Sequence, residues 1–130
     1  MFHSVGTMLK GISHVQLPVK NVEESVVWYT TYLGLELKAN FEAFAVLKFG
    51  EGPDLFLWET QDTREMTIHV DGEYLPVMGL ETDDMEAFTA KLENSGATIE
   101  LMPIEKNAEM RFVKFSDLSG NLFVVHQVIR

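Results

Sequence analysis

The segment GISHVQLPVKNVEESVVWYTTYLGL, residues 11–35, contains a strand pattern followed by a helix pattern. In its first ten residues the side chains alternate as in a half-buried strand, with His14 and Gln16 on one face. Asn21, with a glutamate three residues later, is a helix start signal. Apolar residues then recur at helical spacing until Gly34, which is a helix end signal. The segment therefore predicts a strand and a capped amphipathic helix.

Three further strands follow this helix, and the whole order then repeats. The strands of the first half are predicted at Leu35–Lys38, Phe44–Phe49 and Asp54–Glu59. The second half has a helix predicted between Asp83 and Gly96, and its four strands are predicted at Pro76–Thr82, Thr98–Met102, Met110–Phe115 and Asn121–Val128. The chain is therefore predicted to be one domain, residues 1–130, with a first module at 9–61, a linker at 62–74 and a second module at 75–130.

Two connections between predicted strands carry signals of their own. Asp71-Gly72 is a hairpin-turn dipeptide, and apolar residues on both sides of it predict a short extra hairpin in the linker. Pro103–Glu109 is predicted to be an ordinary surface loop, with a flexible lid as the alternative.

The composition limits the classes of partner. The 130 residues are 46% hydrophobic and 23% charged, close to globular averages, which argues against a disordered chain or a membrane protein. The formal net charge of -10 would repel phosphate backbones, so no nucleic-acid partner is expected. The acidity fits either a solvated surface or attraction of a cationic ligand. No cysteine, no membrane-spanning apolar run and no leader pattern occur, so we expect a cytoplasmic protein without disulfides.

Three short motifs resemble the vicinal oxygen chelate superfamily of glyoxalases, bleomycin-resistance proteins and extradiol dioxygenases. They are Ile12–Val19, the helix end Trp28-Tyr29 with Leu33-Gly34-Leu35, and Asp117 with Gly120-Asn121. The resemblance implies an α+β fold in which two βαβββ modules form curled mixed sheets around a cleft. It also implies a metal in that cleft, held by side chains of the first and fourth strands of each half.

We expect the four places implied by the resemblance to be occupied by His14, Leu57, Val77 and Val124. Only His14 carries a donor atom, and a lone histidine is equally explained as a neutral residue of the cleft wall. A working divalent site needs about three protein ligands. The usual metal centre is therefore predicted to be absent, and no cofactor is expected.

A displaced divalent-metal site is the alternative. Glu59 lies two residues after Leu57, and His126 lies two residues after Val124, so alternation would put each of them on the cleft face with His14. Glu59 is also explained as a strand-end carboxylate that faces water. If His14, Glu59 and His126 converged, they could hold a divalent metal.

The first functional hypothesis is a small-molecule binding protein of the bleomycin-resistance type, which holds an organic ligand in an apolar cleft without metal. The predicted ligand-binding residues are His14, Gln16, Leu57, Glu59, Val77, Glu81, Val124 and His126. The alternative is a metal-dependent lyase, isomerase or dioxygenase that uses the displaced site, so catalysis is left open. A fold retained for interaction alone is a third possibility.

The aromatic residues allow two interpretations. Phe41 and Phe44, together with Trp28, Tyr29 and Tyr32, could form a stacking platform for a planar ligand, but core or interface packing is the simpler explanation. Trp28 and Tyr32 lie four residues apart on the predicted helix and could form an apolar dimer contact. We therefore expect a homodimer.

Overall fold

The computed structural model describes residues 8–62, 67–102 and 110–128, and the predicted loop Pro103–Glu109 lies outside these ranges. Within them the first half comprises β1 (His14–Val19), α1 (Val22–Tyr32), β2 (Glu36–Asn40), β3 (Phe44–Lys48) and β4 (Asp54–Glu59). Two short strands follow, β5 (Ile68–Val70) and β6 (Glu73–Leu75). The second half comprises β7 (Met78–Glu81), α2 (Met85–Leu92), β8 (Ile99–Met102), β9 (Met110–Ser116) and β10 (Leu122–Val128). Every predicted element is present close to its predicted bounds.

The two halves form two mixed sheets of the same topology. Their strand orders are β1-β4-β3-β2 and β7-β10-β9-β8. In each sheet the first and fourth strands of the half pair in parallel, and the other pairs are antiparallel. The β3–β4 and β9–β10 turns each contain a glycine in the left-handed region, Gly52 at φ 94° and Gly120 at φ 91°. The predicted α+β fold of two βαβββ modules is therefore confirmed, and these turns align the halves residue by residue.

The linker contains the predicted hairpin. β5 and β6 pair with each other in an antiparallel manner. Asp71 and Gly72 connect them with φ angles of 49° and 85°. Two successive positive φ angles are the geometry of a type I′ turn, whose twist matches that of the flanking strands.

Side chains cap the start of both helices. Asn21 Oδ1 accepts a hydrogen bond of 2.8 Å from the backbone N–H of Glu24, as the sequence predicts. The predicted start of α2 at Asp83 is wrong by one residue, because Asp84 is the cap and accepts from the N–H of Ala87 at 3.0 Å. Two adjacent aspartates both fit a start signal, and only the residue next to the first helical residue can cap. No helix within the described ranges is long and apolar enough to cross a bilayer.

One hydrophobic core spans both halves. The buried stripe of α1 consists of Val22, Val26 and Tyr29, and α2 contributes Met85 and Leu92. These side chains cluster with buried strand residues of both sheets, namely Leu17, Val19, Leu55, Leu57, Phe115, Phe123 and Val125. Each fully buried large apolar side chain contributes about 1.5–3 kcal/mol of transfer free energy. The helix-facing sides of the two sheets therefore belong to a single packing unit.

A buried polar group, here called the inter-module latch, consists of Tyr29, Asp117, Ser119 and Asn121. Tyr29 Oη donates to Asp117 Oδ2 at 2.6 Å, and Asn121 Nδ2 donates to the same oxygen and to the carbonyl of Pro18, both at 2.9 Å. The backbone N–H groups of Ser119 and Asn121 donate to Asp117 Oδ1 at 2.9 Å. Asp117 therefore ties the β9–β10 turn to α1, and Asn121 ties the same turn to the end of β1.

We predict that Tyr29→Phe lowers the free energy of unfolding by about 1–3 kcal/mol, because a buried carboxylate oxygen loses its hydroxyl donor. Urea denaturation measures the change. Val27→Ala is the control, because Val27 on α1 is 60% exposed, and it is expected to change stability by less than about 0.5 kcal/mol. Equal losses in the two variants would contradict the role of the latch.

The same variant should alter the pH dependence of stability. Burial, and then the charge of Asp117 and its hydrogen bond, raise the pKa of Tyr29 well above 10.0. A phenol whose pKa is raised on folding stabilises the fold fully below its unfolded pKa, and the contribution is lost as pH rises through the folded pKa. Wild-type stability should therefore fall above about pH 10 more steeply than that of Tyr29→Phe. If the stability of the wild type and of Tyr29→Phe fell equally with rising pH, the raised pKa of Tyr29 would not contribute to stability.

Candidate functional site

Each sheet has one face that packs on the helices and an opposite face, called here the open face. Along β1, Leu17 is buried whereas Gln16 is exposed, so Gln16 and its alternate neighbour His14 share the open face, as predicted. In the parallel register Phe56 of β4 is paired with Gln16. Phe56 and Trp58, two residues further on, therefore lie on the open face as well.

Five rings on the open face of the first sheet form one connected group that branches at Phe44, and we call it the aromatic ladder: Phe41, Phe44, Trp58, Phe56 and His14. Phe44 stacks on Phe41 with centroids 5.7 Å apart and on Trp58 with centroids 4.1 Å apart. Phe56 meets the edge of Phe44 at 5.1 Å, and its other neighbour is His14, stacked at 4.0 Å. The ladder is therefore a continuous aromatic surface.

Hydrogen bonds orient the rings of the ladder, and part of its surface is free. Trp58 Nε1 donates to Gln16 Oε1 at 2.7 Å, and His14 Nδ1 lies 2.8 Å from the hydroxyl of Ser13. Phe41 is 59% exposed and Trp58 is 46% exposed. A planar molecule could therefore stack on rings whose orientation is already set.

Leu57 and Glu59 do not lie on the open face, so their predicted placement in the cleft is wrong. Leu57 is fully buried in the core. Glu59 Oε1 accepts a hydrogen bond of 2.9 Å from the N–H of Val22, the first residue of α1, and Gln127 Oε1 does the same for Met85 of α2 at 2.8 Å. Glu59 therefore satisfies an unpaired N–H at a helix start, where negative charge is favourable.

The predicted residues of the second half have a different environment. Val124 and His126 alternate with buried residues of β10 and lie on the open face of the second sheet. Glu81 of β7 is paired with His126, whose ring is 6.2 Å from Phe112. Val77 precedes β7 and packs, partly buried, against the core. The register adds Lys114, which pairs with Val124, and Glu100, which pairs with Lys114, so this open face combines carboxylates, an ammonium and an imidazole with apolar side chains.

Two of the predicted platform residues belong to the core instead. Trp28 is only 3% exposed, and its Nε1 donates to the carbonyl of Ser95 at 3.0 Å. Its ring contacts Tyr29 at 5.0 Å and Tyr32 at 6.2 Å, so the predicted apolar dimer patch of Trp28 and Tyr32 is not a free surface. The stacking interpretation applies to Phe41 and Phe44, whose rings remain on the open face.

The residues at the usual ligand places do not fit a divalent metal. When the halves are aligned on their equivalent turns, the place in β4 that matches Val124 is Phe56, not Leu57. The places are therefore occupied by His14, Phe56, Val77 and Val124, and three of them lack a donor atom. In the three described ranges no group of three His, Asp or Glu side chains could hold a metal ion, so the chain does not bring His14, Glu59 and His126 together.

Comparison with known protein families gives a match over most of the chain. The sequence profile of the Glyoxalase/Bleomycin resistance protein/Dioxygenase superfamily matches residues 11–125. The chain belongs to this superfamily. The match extends over both modules, in agreement with the motifs at Ile12–Val19 and at Asp117–Asn121. Comparison with curated protein sequences gives no match.

Several solved structures share the fold of this superfamily member. TnmS3, an antibiotic binding protein from Streptomyces sp. CB03234, is 20% identical with a TM-score of 0.69, and the match covers 95% of this chain and 99% of TnmS3. FosX, a fosfomycin resistance protein from Listeria monocytogenes in complex with Mn(II) and sulfate, is 18% identical with a TM-score of 0.74, covering 93% and 92%. A glyoxalase/bleomycin resistance protein/dioxygenase from Nocardioides is 23% identical with a TM-score of 0.64, covering 97% and 88%. At these identities the likeness shows the fold alone.

We predict that the purified protein, dialysed against Mn(II), Ni(II) or Zn(II), retains no stoichiometric ion, because only one usual ligand place carries a donor. Elemental analysis by mass spectrometry measures the bound metal, and His14→Ala is expected to give the same baseline. A stoichiometric ion that disappears in His14→Ala would overturn the assignment.

Proposed function

We propose that this chain binds a planar aromatic organic molecule on the open face of the first sheet, without a divalent metal. The aromatic ladder is the observation that supports this proposal. Phe56 occupies a place that would supply a metal ligand, and its ring stacks on His14 at 4.0 Å. The face therefore offers π surfaces where a metalloenzyme of this fold offers donor atoms.

The chemistry of the ladder favours a flat ligand. A well-placed aromatic pair contributes about 0.5–1.5 kcal/mol beyond the burial of its area. The hydrogen bond from Trp58 to Gln16 holds the indole plane in place before a ligand arrives, which lowers the entropy lost on binding. The net charge of -10 attracts positively charged molecules over a longer range. A planar ring system that carries a positive charge fits both features.

The structural relatives support ligand binding as the role. TnmS3 is an antibiotic binding protein and FosX is a fosfomycin resistance protein, and both share the two-module fold. A fold that accommodates organic antibiotics in other proteins is compatible with an organic ligand here.

Ethidium, a planar cation, is the probe for this proposal. It is expected to quench the fluorescence of Trp58 by stacking on it, and Phe44→Ala should weaken the apparent Kd by about tenfold, since losing one ring contact costs about 1.4 kcal/mol. Fluorescence titration in the presence of EDTA measures this. Binding that requires a metal, or equal quenching in wild type and Phe44→Ala, would contradict the proposal.

Three controls make the titration specific. Trp58→Phe keeps a ring but removes the reporter, so quenching should vanish while the emission of buried Trp28 stays constant. Val27→Ala shortens an exposed apolar side chain on α1 and should leave the affinity unchanged. Tetrapropylammonium, a cation without a flat face, should not quench Trp58.

We also propose that the protein is a homodimer, with the β5–β6 hairpin in the contact. The two strands of the hairpin pair only with each other within the described residues. Ile68, Val70 and Leu75 share one face of it in this register, and all three are exposed. A two-stranded hairpin is only marginally stable in water, so a partner that covers these side chains would stabilise it.

Light scattering after size exclusion is expected to give twice the chain mass of 14.8 kDa. Val70→Lys places a charge in the contact and should raise the dimer dissociation constant at least about tenfold. Val27→Lys, an equally drastic change on the exposed side of α1, should leave the dimer intact. A wild-type monomer, or a Val70→Lys dimer of unchanged affinity, would refute this contact.

A further inference from the structure

A cavity of about 730 Å³ lies between the end of α1, the β3–β4 turn and β7. Its walls are polar and apolar in about equal parts, and the apolar part includes Val15, Leu33, Leu35, Phe49, Met78 and Leu80. No residue of the aromatic ladder lines it. The volume lies within the roughly 300–1,000 Å³ typical of small-molecule sites. The cavity is therefore a candidate site separate from the ladder.

The repeat of the fold explains why this space exists. Aligning the halves on the first residue of each helix, Val22 and Met85, pairs Lys20 with Asp83. Aligning them on their equivalent turns pairs Ser119 with Glu51. The cavity and the latch therefore occupy equivalent ends of the boundary between the modules.

The two ends differ in their contacts. At the latch, the backbone N–H of Lys20 donates to Ser119 Oγ at 3.0 Å, which closes the gap between the turn and the start of the helix. At the other end, the equivalent positions carry Asp83 and Glu51, and the structure shows no hydrogen bond between these two described residues. Both line the cavity. A hydrogen bond therefore closes the boundary at the latch, whereas the boundary at the cavity is open and carries two acidic residues.

The charged residues that line the cavity are all acidic. Glu51, Glu81 and Asp83 line it, and they come from the β3–β4 turn, the end of β7 and the segment before α2. No Lys, Arg or His is among the residues that line it. Three acidic residues from separate segments therefore line the same partly apolar space, and no basic residue lines it with them.

We propose that this cavity is a second binding site, for a small organic cation with an aliphatic body. The apolar walls would cover the aliphatic part, and an ammonium group would lie among the three carboxylates. This pairs positive charge with the uncompensated carboxylates and removes apolar surface from water, so both parts of the molecule contribute. An anion or a neutral polar molecule would lack one or both contributions.

Adamantylammonium and adamantanol are matched probes for the cavity, because they share a shape and differ in charge. In protein labelled with carbon-13 at the methionine methyl groups, adamantylammonium is expected to shift the methyl signal of Met78, which lines the cavity, and not that of Met85, which begins α2 and is buried in the core. Adamantanol should bind about tenfold more weakly, since partly exposed ion pairs each contribute modestly. The methyl signal that disappears in Met78→Leu is that of Met78.

Charge-removing variants complete the test. Glu81→Gln and Glu51→Gln should each weaken adamantylammonium binding severalfold, whereas Glu23→Gln should not, because Glu23 is exposed in the first turn of α1 and the cavity lies at the end of that helix. No shift of the Met78 methyl signal, or equal affinity for the cation and the alcohol, would overturn the proposal. Trp58 fluorescence reports on the ladder independently, so failure at one site is distinguishable from failure at the other.

Discussion

The carboxylate of Asp117 is the group on which the two-module structure depends. It is 5% exposed and accepts hydrogen bonds from the Tyr29 hydroxyl, the Asn121 amide and two backbone N–H groups. A buried carboxylate without such donors would be strongly unfavourable, so the turn and α1 must meet in this arrangement. Each module by itself is short for an independent domain, and it completes its core against the other. The latch fixes how the two sets of apolar side chains meet.

The order of the elements was predictable because each signal is local. Asn21 caps α1 in the manner its sequence position indicates, and Asp71-Gly72 forms the turn that this dipeptide favours. Where two adjacent residues carry the same signal, as Asp83 and Asp84 do, the sequence alone does not choose between them. The architecture follows from periodicity, start signals and repetition, all of which act over a few residues.

The site was less predictable because its key strand is apolar on both faces. β4 carries Leu55, Phe56, Leu57 and Trp58 in succession, so alternation does not reveal which residues the helix covers. The choice of Leu57 as a cleft residue followed from this ambiguity, and Glu59 was misplaced with it. The face of the sheet on which Leu57 and Glu59 lie depends on the register of β4 with β1. It depends also on the hydrogen bond that Glu59 accepts from the first N–H of α1. Aligning the two turn glycines across the halves is the sequence signal that would have identified Phe56.

The difference between the two ends of the module boundary has an evolutionary consequence. A chain made of two copies of one motif begins with two versions of every contact between them, and a single set such as that around Asp117 is enough to keep the copies together. The other set is then under no requirement to hold the protein folded. Glu51 and Asp83 stand at positions of that kind, where new chemistry can accumulate by mutation without loss of the scaffold.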